Sequence, residues 1–210
     1  LGRITIDDVV DFITESAQED AQAMTGISED VEEDDSIWLL VRSRLPWLIG
    51  GMCGSFLAAK LIANFDDMLK AIPALAFFIP LIGSTGGNVG IQSSSIIVQS
   101  LSDKSGIDTP LGERLLKVIK VALFNASIAG IFAFGGSLLV GNIEAALALT
   151  VSLSIFSIVM LASLMGTITP LILNKFNINP AIASGPFITI TNDLLGYGVY
   201  LLIVYLLLTK

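Results

Sequence analysis

The chain has 210 residues, of which 53% are hydrophobic and only 14% are charged, and its mean hydropathy is +0.81. This composition favours a membrane protein over a soluble globular domain. Histidine is absent and Cys53 is the only cysteine. The sequence therefore excludes histidine acid–base chemistry, histidine-ligated zinc, an intrachain disulfide and any site that needs several cysteines.

The net charge of −8 is concentrated near the N-terminus. Residues 1–35 contain 12 of the 19 acidic residues and one basic residue, Arg3, whereas residues 36–210 contain 10 basic and 7 acidic residues. The first segment thus has a net charge of −11 and the second a net charge of +3. We therefore expect an acidic, soluble N-terminal piece joined to a membrane domain.

Within the N-terminal piece, LGRITI alternates polar and apolar residues and predicts a short strand. A helix is predicted from Asp7 to Gly26, because apolar residues recur at helical spacing after two acids. The run SEDVEEDD (28–35) is typical of a solvated linker, or alternatively of a weak site for a divalent cation or a basic partner. Because the chain starts directly in LGRITI, we expect it to be a piece of a longer protein.

Five apolar stretches follow the juxtamembrane segment 36–44, and each is long enough to cross the hydrocarbon core as a helix. The predicted fold is an all-α membrane protein with five transmembrane helices and a short cytoplasmic strand–helix remnant at its N-terminus. The predicted spans are residues 45–65, 69–101, 115–140, 145–173 and 180–208 within the membrane domain 45–210.

The basic residues that flank the spans predict the orientation, because cytoplasmic loops are enriched in Lys and Arg. Seven lie on one side and three on the other. We therefore expect a multi-pass protein of the cell (inner) membrane with a cytoplasmic N-terminus and an extracytoplasmic C-terminus. The two sets are Arg42, Arg44, Lys104, Arg114, Lys117, Lys120 and Lys175 against Lys60, Lys70 and Lys210.

The second span is rich in glycine and polar residues around GSTGGNVG. Glycine weakens a helix by roughly 1 kcal/mol relative to alanine, so this segment predicts irregular backbone whose carbonyls face a cation or its waters. The alternative is close helix packing, which small residues permit in membranes. Asn88 and Gln92 share one helical face and favour a pore lining. The candidate residues are Pro80, Gly83, Gly86, Gly87, Asn88, Gly90 and Gln92.

The fifth span contains one acidic residue, Asp193, within an otherwise uncharged stretch. An ionised side chain at that depth costs at least about 2.5–3.5 kcal/mol unless water, a partner or an ion meets it, so it indicates an ion pathway. Gly185, Thr189 and Asp193 recur every four residues, and Asn192 lies beside them. Pro186 predicts a helix break. The alternative for Asp193 is a structural hydrogen bond to another helix.

All these candidate ligands are oxygen atoms with little charge, which suits a hydrated divalent ion such as Mg²⁺. Two rival functions remain open from the residues alone. In a secondary transporter coupled to Na⁺ or H⁺, Asp193 would titrate during the cycle. An intramembrane aspartyl protease needs two carboxylates at one site, but no protease motif accompanies Asp193, so we expect no enzyme activity.

The segments PLIGSTGGNVGIQSSSIIVQSL and NPAIASGPFITITNDLLGYGVYLLI resemble the MgtE family of magnesium channels and transporters. The similarity extends through the membrane part, and RSRLPWL resembles the family's entry into its first membrane helix. The first residues are similar to the end of that family's second cystathionine-β-synthase-type (CBS) domain.

The resemblance implies a homodimer in the lipid bilayer, with no nucleic-acid partner, whose axial pore is lined by the second and fifth helices. It implies that Asp193 is the central ion-binding acid, that Thr189 makes a main-chain contact and that the backbone of Gly86, Gly87 and Asn88 lies at the ion. It also implies that cytosolic Mg²⁺ closes the pore. This chain departs from some members at Gly185, where they carry Asn, and at Val118, where they carry Glu.

Overall fold

The computed structural model of the chain describes residues 4–28, 31–102, 110–140 and 143–208. Within these ranges the backbone forms α-helices and two short 3-10 helices, Pro73–Phe78 and Pro180–Ser184, and no strand. The seven described α-helices are α1 (Ile6–Thr25), α2 (Ile37–Ala63), α3 (Asp66–Ala71), α4 (Ile79–Ser102), α5 (Leu111–Leu139), α6 (Ala145–Lys175) and α7 (Pro186–Leu208).

Among the described residues, five helical stretches are long and apolar enough to cross a membrane, which confirms the predicted all-α fold with five spans. They correspond to α2, the 3-10 turn with α4, α5, α6 and α7. The first differs most from its predicted bounds, because α2 continues through Pro46 and includes nearly all of the segment 36–44. The five stretches are Ile37–Ala63, Pro73–Ser102, Leu111–Leu139, Ala145–Lys175 and Pro186–Leu208.

The predicted N-terminal strand is absent from the described part of LGRITI. Residues 1–3 lie outside the described residues, and α1 begins at Ile6. The Thr5 hydroxyl accepts a hydrogen bond from the Asp8 backbone N–H (3.3 Å), while Asp8 Oδ2 accepts one from the Thr5 backbone N–H (2.8 Å). This reciprocal cap starts a helix. Hydrogen bonds from the Thr5 hydroxyl and then from its backbone hold the pKa of Asp8 below its usual value.

The acidic run after α1 is tied to that helix. Residues 29 and 30 of the run lie outside the described residues. Gln22 Nε2 donates to the Val31 carbonyl (2.9 Å), Gln22 Oε1 accepts from the Val31 N–H (3.2 Å), and Val31 is buried. The Ser28 N–H donates to the Ser43 carbonyl at 2.9 Å. These bonds hold the end of α1 against the first turns of α2.

Helix α6 lies at the centre of the membrane domain and packs between α4, α5 and α7. Half of its most apolar stretch is buried, against only 11% for α2, which lies at the periphery. The core between these helices is formed by large side chains that are at most 3% exposed, including Leu75, Phe78, Ile82, Ile155, Ile158 and Tyr200.

A continuous helix, α4, replaces the irregular backbone that we predicted for GSTGGNVG. In the membrane an unpaired backbone group costs several kcal/mol, which outweighs the low helix propensity of glycine. The glycines instead permit close packing, the alternative from the sequence. A Cβ atom on Gly166 of α6 would lie 2.5 Å from the Gly90 carbonyl oxygen and 2.9 Å from the Ser93 Cβ.

The non-α backbone before α4 is held by α7. The Tyr200 hydroxyl donates a hydrogen bond of 3.0 Å to the Leu75 carbonyl, and both residues are fully buried. This bond satisfies an acceptor in the 3-10 helix Pro73–Phe78, which a membrane interior requires. It also fixes the position of α7 along α4.

The α4–α6 contact predicts a difference between two Gly→Ala substitutions. Gly166→Ala places a methyl group against the Gly90 carbonyl and should lower stability by about 1–3 kcal/mol. A Cβ on Gly136 of α5 would meet no atom within 4 Å, so Gly136→Ala should be neutral or stabilising by up to about 1 kcal/mol. Thermal unfolding in detergent measures both, and equal midpoints would contradict the tight crossing.

Candidate functional site

The break predicted at Gly185–Pro186 is present and determines where α7 begins. The 3-10 helix Pro180–Ser184 ends there, and Pro186 is the first residue of α7. The Gly185 carbonyl accepts hydrogen bonds from the N–H groups of Ile188 (3.1 Å) and Thr189 (3.3 Å). The Gly185 carbonyl is thus already paired within the first turn of α7.

Asp193 lies about 10 Å along α7 from Pro186, within the apolar part of the helix. Its side chain is half-buried and faces α4 at Gly87. A Cβ atom on Gly87 would lie 3.2 Å from Thr189 Cγ2 and 3.7 Å from Asp193 Oδ1. The fold therefore brings together three predicted site residues from two different helices.

Asp193 also lines a cleft of about 190 Å³ between α2 and α7. No hydrogen bond or ion pair joins its carboxylate to another of the described residues. Tyr197 lies one turn further along α7, and its ring lies against Gly83 of α4. The residues around the cleft are Gly54, Ser55, Ala58, Ala59, Ile62, Ile190, Asp193 and Tyr197.

Three other predicted residues, Pro80, Asn88 and Gln92, lie on the exposed surface of α4. Gly86 is buried, and a Cβ there would lie 3.2 Å from Ile158 Cγ2 and 3.4 Å from the Asn192 carbonyl oxygen. That glycine thus packs against α6 and the backbone of α7.

Gly185 is also buried and packs against the end of α1. A Cβ on Gly185 would overlap the carbonyl oxygen of Met24 and lie 3.5 Å from the backbone nitrogen of Gly26. The described structure therefore places Gly185 at a contact between α1 and α7.

Asn192 points away from the cleft and into the helix packing. It is 2% exposed, and its amide occupies the space that a side chain on Gly90 would need. Neither Asn192 Nδ2 nor Asn192 Oδ1 has a hydrogen-bond partner among the described residues. The two adjacent polar residues of α7 thus have opposite environments, because consecutive helical residues differ in direction by about 100°.

The sequence analysis missed the α2 wall of the cleft and Tyr197. Gly54 and Ala58 are four residues apart, a small-residue spacing that lets membrane helices approach. A Cβ on Gly54 would overlap the side chain of Ile190 on α7. Tyr197 follows Asp193 by four residues and therefore shares its face. Both signals were available in the sequence.

Among the described residues that line the cleft, Asp193 provides the one carboxylate that could bind a cation. Across the described ranges, no group of three or more His, Cys, Asp and Glu side chains could hold a metal ion. A cation at Asp193 would therefore keep much of its water shell, which is typical of Mg²⁺ at sites with one or two carboxylates.

Comparison with known proteins gives one matching family. The model of the MgtE family, described as a divalent cation transporter, matches residues 79–203, more than half of the chain. This range contains α4 to α7 up to Ile203 and hence Gly87, Thr189 and Asp193.

Three curated relatives are each called "Magnesium transporter MgtE". The protein from Bacillus subtilis is 31% identical over 201 residues, and the one from Enterococcus faecalis is 33% identical over 203 residues. Each alignment covers 95% of this chain and 44% of the relative. The protein from Thermus thermophilus is 29% identical over 99% of this chain and 46% of its own length. The chain thus spans less than half the length of these relatives.

The unpartnered amide of Asn192 predicts that a leucine of similar shape would be tolerated or preferred. Asn192→Leu removes two buried polar atoms without partners and should raise stability by about 1 kcal/mol. The control is Asn88→Leu, because Asn88 lies on the exposed surface of α4. This substitution should change stability by less than Asn192→Leu. A lower thermal unfolding midpoint for Asn192→Leu would show that the amide has a partner, such as an ordered water.

Proposed function

The chain belongs to the MgtE family of divalent cation transporters, and we propose that it transports Mg²⁺ and catalyses no chemical reaction. It is a multi-pass membrane protein by family and by its five apolar spans. The observation that carries the proposal is the unpaired Asp193 carboxylate in the α2–α7 cleft, beside Gly87 and Thr189.

The energetics of Asp193 support a cation as its partner. An isolated carboxylate at membrane depth is costly, and an ion that binds there offsets the cost. Mg²⁺ dehydrates reluctantly and prefers octahedral coordination. A cleft of about 190 Å³ has room for its six waters, which occupy roughly 30 Å³ each in the liquid. We propose that Asp193 holds the ion through these waters.

Backbone oxygens would complete this water-mediated site. Carbonyls in a helix retain a second lone pair that can accept a hydrogen bond from a water. Gly87 and Thr189 lie beside Asp193, so their carbonyls are our proposed contacts, with Gly86 and Asn88 as neighbours on α4.

We also propose that two copies of the chain form the working transporter. Ser84, Asn88 and Gln92 recur every four residues on α4 and are all exposed. A polar stripe is unfavourable against lipid, and facing a second copy or a water-filled pore removes the cost. Two copies would also provide two Asp193 carboxylates, as the family resemblance implies.

The orientation remains part of the proposal, with α1 in the cytoplasm and the end of α7 outside a bacterial-type inner membrane. Regulation by cytosolic Mg²⁺ at acidic residues before α2 is a further element of it. The orientation agrees with the excess of Lys and Arg on the N-terminal side of the spans.

The first functional prediction concerns the charge at Asp193. Asp193→Asn should reduce Mg²⁺ flux into liposomes by at least about tenfold, because the attraction that offsets ion dehydration is lost. The matched control is Asp66→Asn, since Asp66 is exposed and pairs with Lys70 outside the cleft. Wild-type flux in folded, reconstituted Asp193→Asn would refute the proposed ion site. Flux that depends on an Na⁺ or H⁺ gradient would indicate coupled transport instead.

The second functional prediction concerns the glycine beside the carboxylate. Gly87→Val adds methyl groups where a Cβ already approaches Thr189 to 3.2 Å, so Mg²⁺ flux should fall by at least about tenfold. Gly135→Val is the control, because a Cβ on Gly135 of α5 would meet no atom within 4 Å. The yields of both folded proteins in the membrane should be similar. Normal flux in Gly87→Val would mean that this part of α4 only packs.

A further inference from the structure

A large groove lies on the peripheral side of the molecule, between α2, the end of α1 and the start of α7. We propose that this groove binds a phospholipid, with the phosphate at Arg44 and one acyl chain along α2 as far as Ser55. The groove has a volume of about 970 Å³. The proposal does not depend on which ion the protein transports.

The floor of the groove is built by a contact between three elements. Gly26 ends α1 with a φ of +84°, a left-handed conformation that favours glycine. A Cβ there would lie 2.6 Å from Pro186 Cγ and 3.4 Å from Trp47 Cγ. The end of α1, the start of α7 and the first half of α2 therefore meet closely, and the groove extends along α2 from this junction.

The wall along α2 is apolar and open to the bilayer. Leu48, Met52 and Phe56 recur every four residues, and their exposed fractions are 61%, 59% and 70%. They line the groove together with Gly51, which leaves a depression between the larger side chains. An acyl chain is the apolar molecule that surrounds this helix at high concentration in a bilayer.

The polar end of the groove has the chemistry of a headgroup site. Arg44 is exposed there, and no ion pair to another described residue neutralises its guanidinium. A guanidinium binds phosphate with two parallel hydrogen bonds. Trp47 lies one turn deeper, and tryptophan is enriched at the level of lipid headgroups. The charge of a lipid phosphate is thus complementary to this end of the groove.

The length of the groove between Arg44 and Ser55 matches one leaflet of the hydrocarbon core. From Arg44 to Ser55 an α-helix rises about 16 Å, at 1.5 Å per residue. Half of the hydrocarbon core of a bilayer is about 15 Å. A phospholipid with its phosphate at Arg44 would therefore have the end of its chain near Ser55.

The inner end of the groove meets the ion cleft. Ser55 and Ala59 line both the groove and the cleft that contains Asp193. An acyl chain that ends at Ser55 would cover the cleft on its α2 side. The bound lipid would therefore form part of the wall that separates the carboxylate from the bulk bilayer.

Two glycines of α2 provide a matched test. A Cβ on either Gly50 or Gly51 would meet no atom within 4 Å, but only Gly51 lines the groove. Gly51→Phe should fill the groove and Gly50→Phe should leave it open. Titration of the protein in detergent with phosphatidylglycerol, followed by native mass spectrometry, should show at least about fivefold weaker lipid binding for Gly51→Phe than for Gly50→Phe.

A second pair of variants tests the headgroup contact. Arg44→Gln should weaken binding of the same lipid about fivefold, because one basic residue near a membrane surface contributes about that much. Lys60→Gln, near the other end of α2, should leave binding unchanged. Inorganic phosphate should not displace the lipid, since it lacks the acyl chain.

Equal lipid binding by all four variants would overturn the proposal. So would a change of oligomer mass in Gly51→Phe with unaltered lipid binding, because the groove would then be a contact between two copies of the chain. The mass spectra report both quantities. Far-UV circular dichroism shows that each variant retains its helices.

Discussion

The close crossing of α4 with α6 and α7 is the constraint on which the remaining structure depends. At Gly90 the helix meets Gly166 of α6 on one side and the amide of Asn192 on the other. A side chain on Gly166 would meet the Gly90 carbonyl, and a side chain on Gly90 would displace the Asn192 amide. Because the Asn192 amide fills the space beside Gly90, α7 has a fixed rotation, and Asp193 must face the cleft and Gly87. The orientation of Asp193 towards the cleft thus follows from the packing of its neighbour Asn192 against Gly90.

The number and type of the membrane spans could be predicted because they depend on the composition of long stretches. Hydrophobic runs of about 20 residues have few alternatives to helices in a bilayer. Two local predictions were wrong, each for a different reason. GSTGGNVG forms a regular helix, since the membrane penalises an open backbone more than it penalises glycine. LGRITI was interpreted from its alternation, whereas the described structure follows the Thr5–Asp8 cap.

Only one part of the candidate site could be predicted from the sequence, namely the carboxylate of Asp193. Asp193 was recognisable because no other acid lies deep in a span. Its proximity to Gly87 required a contact between two residues that are more than a hundred positions apart in the chain. Periodicity places Asn88 on a face of α4, but it does not say whether that face meets α7, lipid or another copy. The polar groups of Asn192 and Asp193 were therefore grouped together by the sequence and separated by the fold.

At the junction between α1 and α7, the close packing of the two helices explains why residue 185 is a glycine, and this explanation differs from pore lining. Asn179 Nδ2 donates a hydrogen bond of 3.0 Å to Asp20 Oδ1, and the backbone at Met24 packs directly on Gly185. Asparagine, which the resemblance implies for some members at this position, would add a Cβ that overlaps the Met24 carbonyl oxygen. Glycine therefore lets the end of α1 reach the first turn of α7. Any displacement of α1 would act on the helix that carries Asp193 without passing through the rest of the membrane domain.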